Sequence, residues 1–393
     1  MHILEQYALS CGLKIGKPFM YDHFFPLAEK RYITIQREAK SPSKQYKYWQ
    51  QVVDLLHPIL AKNDISIVQI GGPKDVSLKN ATNTNGKTSI RQAYYLIRNS
   101  ELHLGIDSFA THIASSLGKK IVALYSNMKP ENSGPYWTSR EDCVLIQSPI
   151  GDRKVSYAAN ENPKTIDNIK PEIVANSVLK LLGVEDGIKI ETLFIGEHFN
   201  EEMNFGFLAN QVIASDNGFP ELRLDLLLEE KHLPAQLSKQ KSIITTNKPL
   251  SQELLIKFKA NIAKIIYLVE ENDNPEFVKF LFENGFTFDC VSRLLPNELS
   301  KKKVNYYRYC SIHEHAVSEA ERKFKLSLNK DSDLNRVKFK TNYIVCSDRK
   351  NYLSEQRLLE GDTVDDINAF HPLKITDLYF SDFKNVWVIK ELY

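Results

Sequence analysis

The chain has 393 residues, 42% hydrophobic and 25% charged, which suits a globular protein of two or three domains with proper cores. Its 51 basic residues against 49 acidic ones leave a net charge of +2 and no dense basic tract, so no nucleic-acid partner is expected. The five widely spaced cysteines form no CxxC pair, which argues against a disulfide framework or a zinc site. With no signal-peptide pattern at the start and no apolar run long enough for a transmembrane segment, a cytoplasmic chain is expected.

Residues 1 to 30 read as a helix, with Ile3, Leu4, Tyr7 and Ala8 apolar, and then a Pro-containing loop. Tyr32 to Gln36 reads as a first strand, REAKSPSKQ as the loop after it, and Tyr46 to Ala61 as an amphipathic helix built on Trp49, Val52, Val53, Leu56 and Leu60. Ile65 to Ile70 is a near-continuous apolar strand ending in Gly71-Gly72-Pro73, where glycine allows either a sharp turn or close approach to a ligand. Asn80 to Asn85 is loop-like with room for a short strand, and Lys87-Thr88-Ser89 caps a helix through Asn99.

The clearest chemistry lies between Glu101 and Trp137. Leu102, Leu104 and Ile106 make a strand, Asp107 and Ser108 stand at a helix start, and Ala110, Ile113, Ala114 and Leu117 recur at helical spacing before Gly118. Ile121 to Leu124 is the next buried strand. A strand, helix and strand joined this tightly belong to a parallel sheet. The free N–H groups of the helix start, with the hydroxyls of Ser108 and Thr111 beside them, make an anion site beyond a strand's C-terminal end, where a doubly wound sheet binds ligands. Taken singly, Asp107 reads as a helix cap and His112 as a satisfied helix residue; taken together they favour a ligand. A closing helix follows from Lys170-Pro171 to Leu182-Gly183.

From Ile188 the character changes. Thr192 to Ile195 and Leu222 to Leu228 read as strands. Strands at Ser242 to Thr245, Lys264 to Val269 and Thr287 to Ser292 then alternate with helices at Ser251 to Asn261, Asn274 to Asn284 and Asn297 to Tyr309. That alternation predicts a second parallel α/β layer. The last segment is strand-like and aromatic, at Val337 to Phe339, Tyr343 to Val345, Leu378 to Phe380 and Val386 to Ile389, with Lys384-Asn385 as a turn.

GIDSFATHIASSLGKKIVALYS, followed by Gly134-Pro135 and Trp137, resembles the donor-binding half of glycosyltransferase family nine, the heptosyltransferase-like enzymes of GT-B fold. The usual form there is Asp-Ser/Thr-Gly-x-x-His-x-Ala. Asp107, Ser108, His112 and Ala114 match it, and Phe109 stands where glycine is usual. The resemblance covers roughly residues 30 to 184. It implies a Rossmann-like GT-B donor-binding domain (31–187); with the elements read above, the chain is expected to be an α/β protein with an N-terminal helix and linker (1–30), that domain, a second α/β Rossmann-like domain (188–322) and a β-rich C-terminal segment (323–393). The usual acceptor-binding half is expected to be missing from the front of the chain. Residues 188–320 either replace it in reversed order or form an unrelated appended domain.

The function implied is transfer of a sugar from a nucleotide-diphosphate sugar to a glycan or other hydroxyl acceptor, with no metal and no cofactor. Donor contacts are implied at Lys44, Gly71, Gly72, Thr88, Asp107, Ser108, Thr111 and His112. Lys44 takes the place of a loop lysine facing the donor phosphates, with Lys40 or Lys47 as substitutes, and Lys87 and Thr88 lie toward the base. No general base is assigned, because the family's base lies in the other half. The alternatives are a sugar-nucleotide-binding protein without catalysis and a structural protein on a transferase scaffold.

Overall fold

Six short segments of the first half pair side by side, all in parallel: β1 (Tyr32–Ile35), β2 (Ser66–Gln69), β3 (Thr82–Asn83), β4 (Leu102–Ile106), β5 (Lys120–Tyr125) and β6 (Cys143–Gln147). The computed structural model describes residues 1–151, 154–162, 164–200, 203–206, 219–225, 228–292, 294, 296–314, 324, 327, 334–341, 343–347, 350–352, 358, 361, 363, 370–372 and 383–392. It divides into two units, Met1–Glu191 with Leu392–Tyr393, and Thr192–Glu391.

In the first unit every residue of β1 and β4 is buried, as expected of parallel strands covered on both faces. Strand order is β3-β2-β1-β4-β5-β6. The chain steps outward from β1 to β3, then returns to the other side of β1 as β4. The direction of winding therefore reverses between β1 and β4, and right-handed crossovers put the helices of the two runs on opposite faces. Helices α3 (Ile90–Asn99) and α4 (Phe109–Ser116) share one core, in which Tyr94, Ile97, Ala110 and Ile113 meet Val68, Ile121 and Tyr125 of the sheet. Helices α2 (Trp49–Lys62) and α6 (Pro171–Leu182) pack on each other and bury Trp49, Val52, Val53, Leu56, Val174 and Val178.

The helix expected from Tyr46 begins at Trp49, after a 3-10 turn at Pro42–Lys44. Packing sets that start. Tyr46 is buried edge-on against Tyr48 and Trp49 and donates its hydroxyl to the Ile169 carbonyl at 2.7 Å. Helix α1 (Ile3–Cys11) is closed by a reciprocal His2/Glu5 capping box and by Gly12 in the left-handed region, and none of its residues is buried. A short helix, α5 (Pro130–Ser133), follows β5.

The second unit contains a parallel sheet of β9 (Glu221–Arg223), β10 (Ser242–Thr246), β11 (Ile262–Val269), β12 (Phe288–Ser292) and β13 (Ile312–Glu314). Helices α7 (Leu233–Leu237), α8 (Gln252–Lys257), α9 (Pro275–Glu283) and α10 (Pro296–Tyr306) connect them. Successive strands are neighbours throughout, so this sheet winds one way and has no point where the order reverses. Its core includes Ile244, Ile265, Tyr267, Phe277, Leu281 and Leu299.

An antiparallel arrangement dominates the remainder. β14 (Val337–Thr341) pairs antiparallel with both β17 (His371–Pro372) and β18 (Val386–Glu391), and β7 (Ile190–Ile195) completes that sheet. β15 (Tyr343–Ser347) lies between β8 (Met203–Gly206) and β16 (Lys350–Tyr352). The strand expected at Leu378 to Phe380 lies outside the described residues, and the one expected from Leu222 is β9, which ends at Arg223. Among the described residues no helix is long and apolar enough to cross a membrane.

Candidate functional site

The reversal of winding fixes where a ligand can be held. Side by side, β1 ends at Ile35 and β4 at Ile106, so Gln36 and Asp107 are the first residues beyond the switch point, where open α/β sheets bind their ligands. Asp107 is buried, and three elements converge on its carboxylate. Lys44, at the end of the 3-10 turn after β1, places its Nζ 2.6 Å from Oδ2. Ser133 of α5 donates its hydroxyl to the same oxygen at 3.3 Å. His112 of α4 holds Nε2 3.7 Å from Oδ1. Burial alone would push the Asp107 pKa up, but His112 and Lys44 outweigh it and hold the carboxyl below its ordinary value.

Ser108 is the N-cap residue of α4, with extended backbone, yet its hydroxyl donates to Gln36 Oε1 and leaves the helix without a side-chain cap. The first intrahelical bond runs from His112 N–H to the Ser108 carbonyl, so the N–H groups of Phe109, Ala110 and Thr111 stand ahead of the helical ladder. Thr111 is fully buried and donates its hydroxyl to the Ile106 carbonyl at 2.6 Å. Its hydroxyl ties the helix to the strand end.

Lys44, Asp107, Ser108, Gln36, Lys40 and Asp75 are among the residues lining a cavity of about 500 Å³ beside this helix start. Gly71 and Gly72 follow shortly after the end of β2, and the space beside them is filled from within the chain. Gly72 N–H donates to Asp75 Oδ2 at 2.8 Å, and a side chain on Gly71 would come within 2.8 Å of Asn85 Oδ1. Thr88 and Lys87 do not line this cavity; Lys87 Nζ bonds the Asn83 carbonyl at 3.0 Å, and Ser89 caps α3 in a reciprocal pair with Gln92. Lys47 is turned away, with its Nζ over the Tyr48 ring at 4.9 Å.

Three neighbours of the site were not singled out in the sequence. Gln36 could have been found, because it directly follows the strand that flanks the switch point. Asp75 and Ser133 carry no such signal, since their approach depends on how the loops after β2 and β5 fold back. A second, apolar cavity of about 440 Å³ lies along α4, lined in part by Tyr94, Phe109, His112, Ile113 and Trp137. Among the described residues no three His, Cys, Asp or Glu side chains gather in a cluster that could hold a metal.

An uncapped helix start and a lysine at the switch point of a doubly wound parallel sheet define a Rossmann-like domain equipped to hold an anionic ligand. Residues 5–160 match the model of glycosyltransferase family 9 (heptosyltransferase). The resemblance seen around Asp107 therefore holds, over a stretch that ends within the first unit. Among solved structures, the chain is similar to the E. coli ADP-heptose LPS heptosyltransferase II, at 19% identity over 46% of this chain and 51% of that one, with a TM-score of 0.32. It is likewise similar to a family 9 glycosyltransferase from Veillonella parvula, at 19% identity over 45% and 49% of the two chains, TM-score 0.34. The E. coli heptosyltransferase WaaC with ADP is a third, at 13% identity over 45% and 54%, TM-score 0.32. The chain thus spans about half the length of the solved structures it resembles. No curated protein matches it.

Proposed function

We propose that the first unit binds a nucleotide-diphosphate sugar at the Asp107 helix and that the protein transfers the sugar to a glycan or other hydroxyl acceptor, without a metal. The observation that carries this reading is the uncapped start of α4 next to Lys44 in a cavity at the switch point. A diphosphate there accepts hydrogen bonds from the free N–H groups and the lysine ammonium, and the same donors stabilise the charge that develops as the sugar leaves. Lys44 exchanges the Asp107 carboxylate for the diphosphate, while Ser133 and His112 keep the carboxylate partnered. The helix start and lysine supply this charge stabilisation without a Lewis acid.

The test is thermal melting of the full chain with ADP, UDP and GDP, alone and as sugar conjugates, beside Lys44→Met. A ligand at about 100 times its Kd stabilises the native state by about 2.7 kcal/mol. One nucleotide is expected to raise the melting temperature of the wild type, with most of the shift lost in Lys44→Met. No shift with any nucleotide would overturn the reading. A second reading, binding without transfer, is favoured by Phe109, which lines the same cavity where the resembled family usually has glycine. Release of free sugar from the bound donor separates the two: a transferase hydrolyses its donor slowly without acceptor, and a binding protein does not.

A further inference from the structure

The polar cavity at Asp107 and the apolar cavity along α4 have one lining residue in common, Phe109. It is the first residue of α4, is 48% exposed and borders both spaces, of about 500 and 440 Å³. His112 lines the apolar side, while its Nε2 lies 3.7 Å from the Asp107 carboxylate on the polar side. Phe109 is the first residue of α4 and His112 the fourth, so the residue shared by the two spaces stands within one turn of the helix start proposed to face the diphosphate.

We propose that Phe109 selects the donor sugar by length, closing the polar cavity so that it takes a pentose, hexose or 6-deoxyhexose and rejects a heptose. This rests on the donor-site reading given above. A sugar attached to a diphosphate at the start of α4 meets the Phe109 ring. That surface packs against the apolar face of a pyranose but offers no hydrogen bond to a hydroxyl on a longer exocyclic arm. Beyond the ring, the second space is lined by the apolar side chains of Ile113 and Trp137 together with Tyr94, His112 and Ser116. A longer arm thus meets the Phe109 ring, which blocks it sterically and offers its hydroxyls no partner.

The test compares wild type, Phe109→Ala and Phe109→Leu by calorimetric titration with the hexose and heptose conjugates of whichever of ADP, UDP or GDP binds. Wild type is expected to bind the hexose conjugate about tenfold or more tighter than the heptose conjugate. Phe109→Ala joins the two cavities and is expected to bring that ratio close to one, while Phe109→Leu, which keeps a bulky side chain at the partition, retains most of the preference. Each ratio is taken within one protein, so a change in stability of the variant cancels. The same ratio in all three proteins, or a wild type that prefers heptose, would overturn the selection by Phe109. Absence of binding by every nucleotide, the bare diphosphates included, overturns the donor-site reading and this inference with it.

Discussion

Lys44 and Asp107 are 63 positions apart in sequence, and their side chains meet at 2.6 Å where the sheet's winding reverses. The carboxylate is almost completely buried, its side chain 6% exposed, whereas the lysine keeps a fifth of its surface in water. Replacing Lys44 by Met leaves a buried charge without its nearest cation. Because solvent reaches the lysine, the expected cost is below that of a fully buried pair, about 1–3 kcal/mol. A double-mutant cycle with Asp107→Asn, measured by urea unfolding, is expected to give a coupling of about 0.5–3 kcal/mol. A coupling near zero would show that the pair does not hold the site together.

The same carboxylate gives a pH signature. Burial raises its pKa, but His112 and Lys44 bring it below the ordinary aspartate value of 3.8 in the folded state. For an acid with a depressed native pKa, the unfolded chain binds the proton first as the pH falls. Its contribution is therefore complete above pH 3.8 and is lost as the pH drops through the native value. Asp107→Asn is expected to be less stable than wild type at pH 6, with the gap narrowing below about pH 4. Unfolding curves of the two proteins collected between those limits give the comparison; a constant gap would assign the shift to another group.

The sequence made the doubly wound half legible because its apolar runs are short, its helices are periodic and its capping residues stand where they should. Asp107, Ser108 and His112 could be read together because one helix start carries all three. The hydroxyls were harder. Ser108 and Thr111 are residue types that cap helices or face ligands, yet here they bond Gln36 and the Ile106 carbonyl, because both sit within reach of neighbouring strand ends. Gly71-Gly72 allowed both a ligand and a turn, and only the fold of the next loop brings Asp75 onto Gly72 N–H. Partners contributed by distant loops leave no periodic trace in the chain.

Within the second unit, Asp273 tests whether a buried polar cluster contributes stability. Its side chain is 2% exposed and bonded by both the Lys302 ammonium and the Tyr306 hydroxyl, and Lys302 also donates to the Glu271 carbonyl at 2.6 Å. Tyr306 is fully buried, and burial together with its bond to Asp273 pushes the phenol pKa well up, so it stays a donor. Tyr306→Phe keeps the ring in the core and deletes one donor to a buried carboxylate, for an expected loss of about 1–3 kcal/mol. Chemical denaturation followed by circular dichroism measures it. A change below about 0.5 kcal/mol would mean that Lys302 alone satisfies the carboxylate.

His103 lies in β4 directly opposite Thr34 of β1, with Nδ1 3.0 Å from the threonine Oγ1 and with Nε2 lacking a partner among the described residues. Complete burial lowers its pKa to about 3, against about 6.5 in an unfolded chain. Here the depressed native value belongs to a base: below about pH 6.5 the unfolded chain takes up a proton that the folded one refuses. Stability from this residue is therefore complete at neutral pH and falls by about 1.4 kcal/mol per pH unit until the native pKa is reached. Between pH 6.5 and 5 the wild type is expected to lose about 2 kcal/mol more than His103→Leu, which has no proton to bind at that position. The leucine variant also forfeits the bond to Thr34, so it starts from a lower stability at neutral pH, and the two curves converge as the medium is acidified. Urea unfolding at a series of pH values follows that convergence directly, and parallel curves would show that another group carries the acid sensitivity.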